Sequence, residues 1–345
     1  MHDFTALPLA MNFLIFAVAA CAVWAAGTRI ARYAGAISAK TGISHAAMGL
    51  VLLGGVTSLP EGAVTVSASL AGDTALAVNN LLGGVAMQVA ILAAADFAMG
   101  RRALTSVIPD PTTMLQGSLN VVLLAFVGAG ILAGSVVVLG AGLWSWAILA
   151  AYLYSMRLLA ATRERQAWHT ELDDEQAQAS AAADRQESRT LTAIVSLTCV
   201  AAAVILVAGY FLSMTGGAIA EQTGIGSSFV GAVLVAISTS LPEVSTVIAA
   251  ARLGFFTLAI SDIFGTNLFD IALIWLVDIV SPGLPVLSTV GAFSSFAVLL
   301  AILVTALYVA GLAERRDGTF LRLGIDSVAV VVCYLGGVAI LYGLR

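Results

Sequence analysis

The pentapeptide TSLPE occurs twice in this chain, at Thr57 to Glu61 and at Thr239 to Glu243, each time inside an apolar run long enough to cross a bilayer. A carboxylate at mid-bilayer costs on the order of 2.5 to 3.5 kcal/mol even on insertion-based scales. No Lys, Arg or His lies at matching depth along the sequence. An acid buried without a basic partner takes a proton or holds a metal ion, and either chemistry suits a cation pathway. The bland alternative is a protonated Glu bonded to a hydroxyl, and it would have to hold twice at matched positions. The prolines belong to the same argument. Pro60 and Pro242 each remove a backbone N–H and crowd the carbonyl four residues earlier, at about 3 kcal/mol. This loosens the turns at Val56 and Thr57 and at Ser238 and Thr239. Carbonyl oxygens freed there cannot face lipid, so they must meet protein, water or a bound cation.

The next apolar run in each half supplies a facing polar stripe. Asp262, Thr266 and Asp270 are spaced i, i+4, i+8 on one helix face with Asn267 beside them, and their counterparts are Asn80, Gly84 and Gln88, with Val85 in place of Asn267. Together the four segments offer Glu61, Glu243 and Asp270 as carboxylates and Gln88 and Asn267 as amides. Thr57, Ser58, Thr239, Ser240 and Thr266 add hydroxyls or carbonyls. An all-oxygen set without thiolate or imidazole selects hard cations such as Ca²⁺ or Na⁺. Asn79, Asn80 and Asp262 could line an access route or cap a helix contact. Asp96, Asp278 and Asp326 fall near run ends and read as interfacial, Asp96 close to Arg101.

These residues need long helices to hold them. Of 345 residues, 60% are hydrophobic and 10% charged, with a mean hydropathy of +1.01, so the chain is a polytopic membrane protein. Ten apolar runs of spanning length are predicted, at about 7–27, 46–72, 74–98, 114–133, 135–159, 191–213, 227–251, 255–280, 288–312 and 322–343. With ten spans, 14 of the 15 Lys and Arg residues fall on one side, Arg345 being the exception. The positive-inside rule then places both termini outside and the central linker in the cytoplasm of a cell-membrane protein. That linker, 160–190, carries mixed charges and DDE at Asp173 to Glu175, and reads as solvated chain between two halves. Cys21, Cys199 and Cys333 are unclustered inside apolar runs and read as packing residues. The VAAC at Val18 to Cys21 lacks a preceding basic residue, so the first run reads as an uncleaved helix. His2, His45 and His169 lie at ends or in loops, and there is no Ser-His pair or HExxH, so an enzyme is not expected. Nothing points to nucleic acid.

An offset of 182 aligns Thr41–Asp96 with Thr223–Asp278 without a gap, with 18 of 56 pairs identical, including all of TSLPE and the pair Asp96 and Asp278. Each half holds five spans, an odd number, so the copies run in opposite directions through the membrane. The expected fold is therefore all-α, with ten transmembrane helices as two inverted five-helix repeats, 1–159 and 191–345.

The second repeat reads STSLPE at Ser238 to Glu243 and GTNLFD at Gly265 to Asp270. The paired motifs resemble those of the cation/Ca²⁺ exchanger superfamily. The resemblance implies an antiporter working by alternating access without a bound cofactor. It also implies that Glu61 and Glu243 are central Ca²⁺ ligands, joined by the carbonyls of Thr57 and Thr239 and flanked by Asp270 and Gln88. Ser58, Ser240, Thr266 and Gly84 fall where that family lines sodium sites. The first repeat departs from the pattern with GGVAMQ at Gly83 to Gln88: Gly84 lacks the hydroxyl and Val85 the amide. The coupling ion is thus Na⁺ or H⁺, and the oligomeric state is open.

Overall fold

A computed structural model describes residues 4–70, 72, 74–99, 103–107, 111–161, 189–223, 237, 239–281, 283–315, 318–320 and 323–344. In chain order the elements are α1 (Leu9–Thr41), α2 (His45–Thr57), α3 (Leu59–Leu70), α4 (Thr74–Met99), α5 (Thr112–Ala133), a short hairpin of β1 (Val137–Val138) and β2 (Ala141–Gly142), and α6 (Leu143–Ala161). The second set is α7 (Leu191–Gln222), α8 (Leu241–Arg252), α9 (Phe256–Val280), α10 (Ala292–Glu314), a hairpin of β3 (Thr319–Phe320) and β4 (Leu323–Gly324), and α11 (Ile325–Gly343). Among the described residues eight helices are long and apolar enough to cross a membrane, and the bent pair α2 and α3 makes a ninth. Of the expected span 227–251 the structure describes mainly α8; Ser238 and residues 224–236 lie outside the described residues, as does DDE in the linker.

The offset of 182 governs far more of the chain than the aligned motif. It carries the start of α1 onto that of α7, both ends of α3 onto those of α8, the start of α4 onto that of α9, β1 and β2 onto β3 and β4, and both ends of α6 onto those of α11. Even the turns repeat. Gly72 (φ 83°) and Gly254 (φ 79°) each take the left-handed conformation that glycine adopts without penalty, between α3 and α4 and between α8 and α9. Their N–H groups bond to Ser69 and Ala251 carbonyls, each at 3.1 Å.

Two expectations need correction, one about a helix limit and one about the cysteines. The residues after 27, predicted as a loop carrying Arg29, Arg32 and Lys40, continue α1 for four more turns. Ile30, Ala31, Tyr33, Ala34, Ala36 and Ile37 are buried there while both arginines face outward, so an inner apolar face sustains the helix after mean hydropathy has fallen. Of the cysteines, only Cys333 packs against the core, half-buried; Cys21 and Cys199 are exposed on their helices and are not packing residues.

Helices α4 and α9 are the most enclosed and pack against each other, with α2, α3, α5, α8 and α10 around them. Asp96 and Asp278, at their far ends, are buried structural clamps and not interfacial charges. Asp96 accepts from Leu104 N at 2.6 Å and from Gly324 N of the opposite hairpin at 2.9 Å. Asp278 accepts from Val286 N at 2.6 Å, from Gly142 N of the other hairpin at 2.9 Å, and from Ser145 Oγ at 2.5 Å. All four amide contacts obey the offset, so the clamps are crossed between the halves. Asp326, half-buried, sits beside Asp96 and fits the interfacial reading no better. Each buried N–H left without an acceptor costs about 1 to 3 kcal/mol. Asp278→Ala strands two, so thermal unfolding in detergent should show a loss of about 3 kcal/mol or more. Asp278→Asn, which keeps one acceptor oxygen, should recover part of it.

Candidate functional site

The first-repeat break falls at Ser58. Met48–Leu53 is a π-helical stretch inside α2, a wound-open form often found at functional sites, and α3 leaves α2 at an angle of 43°. Pro60 and Pro242 are each the second residue of a 12-residue helix, where the missing N–H has no intrahelical partner to lose. Glu61 and Glu243 follow in the first turn, so each carboxylate sits at the positive end of its own helix. Glycines from the opposite halves let the chain close over these turns. Gly209 of α7 seats against Pro60, and Gly27 of α1 against Ser245 and the carbonyl of Pro242.

All ten predicted site residues are buried: Thr57, Ser58, Glu61, Gln88, Thr239, Ser240, Glu243, Thr266, Asn267 and Asp270 are each no more than 1% exposed. Many are brought together. Glu61 lies within electrostatic reach of Asp270 and has Thr239 beside it, and Glu243 faces Glu61, Asp262 and Asp270. Asp270 accepts from Gln88 Nε2 at 3.3 Å, with Ser58 alongside. Thr57 Oγ1 meets Thr266 Oγ1 at 3.1 Å and donates to Leu53 O at 3.0 Å. Asn267 bridges to the facing helix, its Nδ2 donating to Val85 O at 3.5 Å. Backbones approach closely to allow it: a Cβ on Gly54 would lie 2.8 Å from Thr266 N, and one on Gly265 would lie 2.6 Å from Leu50 Cα.

The polar atoms are poorly satisfied by protein. Both carboxylate oxygens of Glu61 and of Glu243, Oδ1 of Asp270 and of Asn267, Oε1 of Gln88, and the hydroxyls of Ser58 and Ser240 have no hydrogen-bond partner. Among the described residues no Lys, Arg or His is buried. Buried polar groups are normally paired, so this many orphaned oxygens around one place is what a dehydrated cation would complete. Among the described residues no three of His, Cys, Asp and Glu converge in metal-binding geometry. A cation here would therefore draw part of its shell from hydroxyl, amide and carbonyl oxygens.

Some contributors are not apparent from sequence. Asn120 of α5 donates to Phe264 O at 3.1 Å and Gln116 O at 3.0 Å, fixing α9 midway between Asp262 and Thr266. Gln116 is buried beside it with both amide atoms unpartnered. Positions 298 and 302, their counterparts by offset, are Val and Ile, so the repeat could not reveal them; their i, i+4 spacing in an apolar run was the available signal. Asn79 accepts from Ser294 Oγ at 2.6 Å, a helix contact between α4 and α10.

Among known proteins, Sodium/calcium exchanger MaX1 of Methanosarcina acetivorans is 35% identical over 91 residues, 26% of this chain and 26% of that protein, so the alignment spans about a quarter of that relative. Inner membrane protein YrbG of Escherichia coli is 28% identical over 267 residues, 77% of this chain and 76% of that protein. The solved sodium-calcium exchanger NCX_Mj, soaked with 2.5 mM Na⁺ and 0.1 mM Sr²⁺, superimposes with a TM-score of 0.72 at 15% identity, over 96% of this chain and 99% of that one, and so shares the fold. The profile of the sodium/calcium exchanger protein family matches residues 11–162 and 193–343. With both halves matched, from starts 182 residues apart, this multi-pass membrane chain belongs to the sodium/calcium exchanger protein family.

Proposed function

We propose that the protein is a secondary antiporter that moves Ca²⁺ in exchange for Na⁺ by alternating access, at a site near the membrane midplane. One observation carries the reading: Glu61 and Glu243, at matched helix starts, lie fully buried within reach of each other's charge with all four oxygens unpartnered. Two carboxylates in low dielectric with no buried base call for a compensating cation. In this reading Glu61 and Glu243 hold the divalent ion with the carbonyls of Thr57 and Thr239, Asp270 and Gln88 flank it, and Ser58, Ser240 and Thr266 bind the monovalent ion. Asn267, turned toward Val85, holds the two polar stripes in register. No bound cofactor is required. The two copies cross the membrane in opposite senses, with termini outside and the linker in the cytoplasm, so the two access routes are equivalent by symmetry.

The first-repeat departure at Gly84 and Val85 favours one second reading, exchange of a divalent cation for H⁺. Radiotracer uptake of ⁴⁵Ca²⁺ into proteoliposomes, with sodium and proton gradients imposed separately, distinguishes the two. An outward sodium gradient at uniform pH should drive accumulation. Uptake that ignores sodium and collapses with the pH gradient would replace Na⁺ by H⁺ as the coupling ion.

A further inference from the structure

Asp262 stands outside the residue set discussed so far. It occupies the first position of the α9 stripe, two turns before Asp270, and is fully buried. Thr246 Oγ1 hydrogen-bonds its Oδ2, while its Oδ1 has no partner. Thr246 lies one turn beyond Glu243 on α8, and the Glu243 carboxylate, with both oxygens free of hydrogen bonds, feels the charge of Asp262 directly after that of Glu61. The Thr246 hydroxyl is also within range of Pro242 O at 3.2 Å and Glu243 O at 3.1 Å. It has one proton for three acceptors, so two of them go without it at any moment. Glu243 and Thr246, one turn apart on α8, thus bring a carboxylate and a hydroxyl to the Asp262 carboxylate of α9. The side facing α2 is closed by backbone, since a Cβ on Gly49 would lie 2.8 Å from Asp262 N.

Charge balance gives this placement a meaning. Glu61, Glu243, Asp262 and Asp270 could carry four negative charges, and one divalent ion offsets two. Among the described residues no buried Lys, Arg or His offsets the rest. The counterpart of Asp262 by the offset is Asn80, neutral and itself unpartnered at both amide atoms. The added charge therefore belongs to the second repeat alone, while the first has lost its hydroxyl and amide at Gly84 and Val85.

Resting on the exchange reading above, we propose that Asp262, Glu243 and Thr246 form a second site for Na⁺, adjoining the central divalent site and filled in the same transport cycle. Asp262 replaces the monovalent capacity that the first repeat gave up, and Glu243, shared between both sites, couples their occupancy.

The test compares wild type with Asp262→Asn, which installs the residue of the other repeat at nearly unchanged volume. In proteoliposomes the variant should lose about tenfold in gradient-driven ⁴⁵Ca²⁺ uptake, while equilibrium ⁴⁵Ca²⁺ binding to the purified protein stays within about threefold of wild type. The steepness of the sodium dependence should fall with it. A flattened pH dependence with the sodium dependence unchanged overturns the Na⁺ site. Thr246→Val, which removes only the hydroxyl, should shift the same readout in the same direction and decides the matter if Asp262→Asn fails to insert. A variant with wild-type sodium and pH dependence overturns this site and leaves the central one standing. Wild-type protein that moves no calcium under either gradient overturns the exchange reading, and this inference with it.

Discussion

Glu61→Gln and Glu243→Gln should each abolish calcium exchange in proteoliposomes while leaving the protein inserted and monodisperse. Glutamine keeps the volume and one acceptor oxygen of glutamate; no well-formed hydrogen bond to the four oxygens is broken, and the Thr239 hydroxyl beside Glu61 still meets an acceptor. Removing the charge therefore takes little from the fold. It takes much from a dehydrated divalent ion, because deleting one member of a buried charge pair costs about 3 kcal/mol or more, over a hundredfold in affinity. The same substitution separates this reading from a structural one. An acid that served as a neutral hydrogen-bonding group would be mimicked well by an amide, and transport would survive. Normal ⁴⁵Ca²⁺ exchange in both variants would sink the assignment of these residues as ligands. The two should also be similarly damaging, because they occupy the same place in the first turns of α3 and α8.

The second large effect is steric. Gly265→Val should lose transport and also lower the thermal unfolding midpoint, with Gly265→Ala intermediate. A Cβ on Gly265 would lie 2.6 Å from Leu50 Cα and 2.7 Å from Leu50 O, and on the facing side one on Gly54 would lie 2.9 Å from Gly265 C. These are main-chain atoms, which have no rotamer to escape into. Overpacking of this kind typically costs about 1 to 3 kcal/mol. The damage to function should be greater, because the next residue, Thr266, sets its hydroxyl 3.1 Å from that of Thr57 across the same contact. Forcing α9 from α2 separates the two polar faces that a cation must bridge. Wild-type uptake by Gly265→Val would mean that this close approach has no part in transport.

How far the sequence reveals this arrangement depends on what kind of signal each part leaves. The two acids and their prolines are legible because their chemistry is costly in lipid and repeats at a fixed offset. The break in the first repeat was expected at Val56 and Thr57 and lies at Ser58, as a proline at the second position of α3 requires. The π-helical stretch before it left no mark, since Met48–Leu53 has the composition of any apolar helix. The length of α1 was hidden for a different reason: hydropathy averages over all faces, and its outward arginines conceal an apolar inner face. Asp96 and Asp278 carried a usable clue, being identical across the repeat. Their partners are main-chain amides of short hairpins, which no residue-type pattern announces. Gln116 and Asn120 support the second repeat's helix from the first, and with no copy of themselves they escaped the search for matched pairs.

The exchange of hydrogen bonds between Asp96 with Gly324 and Asp278 with Gly142 has a bearing on assembly. Contacts in which position i of one unit meets j of the other, and j meets i, are isologous, the hallmark of a two-fold dimer. Here both partners lie in a single polypeptide. A chain ending near residue 161 would leave Asp96 without its second amide partner and the Gly142 amide without its acceptor unless a second copy met it about a two-fold axis. Maturation of the early helices thus has to wait for the late ones, and the protein is completed as one cooperative body instead of two modules in series.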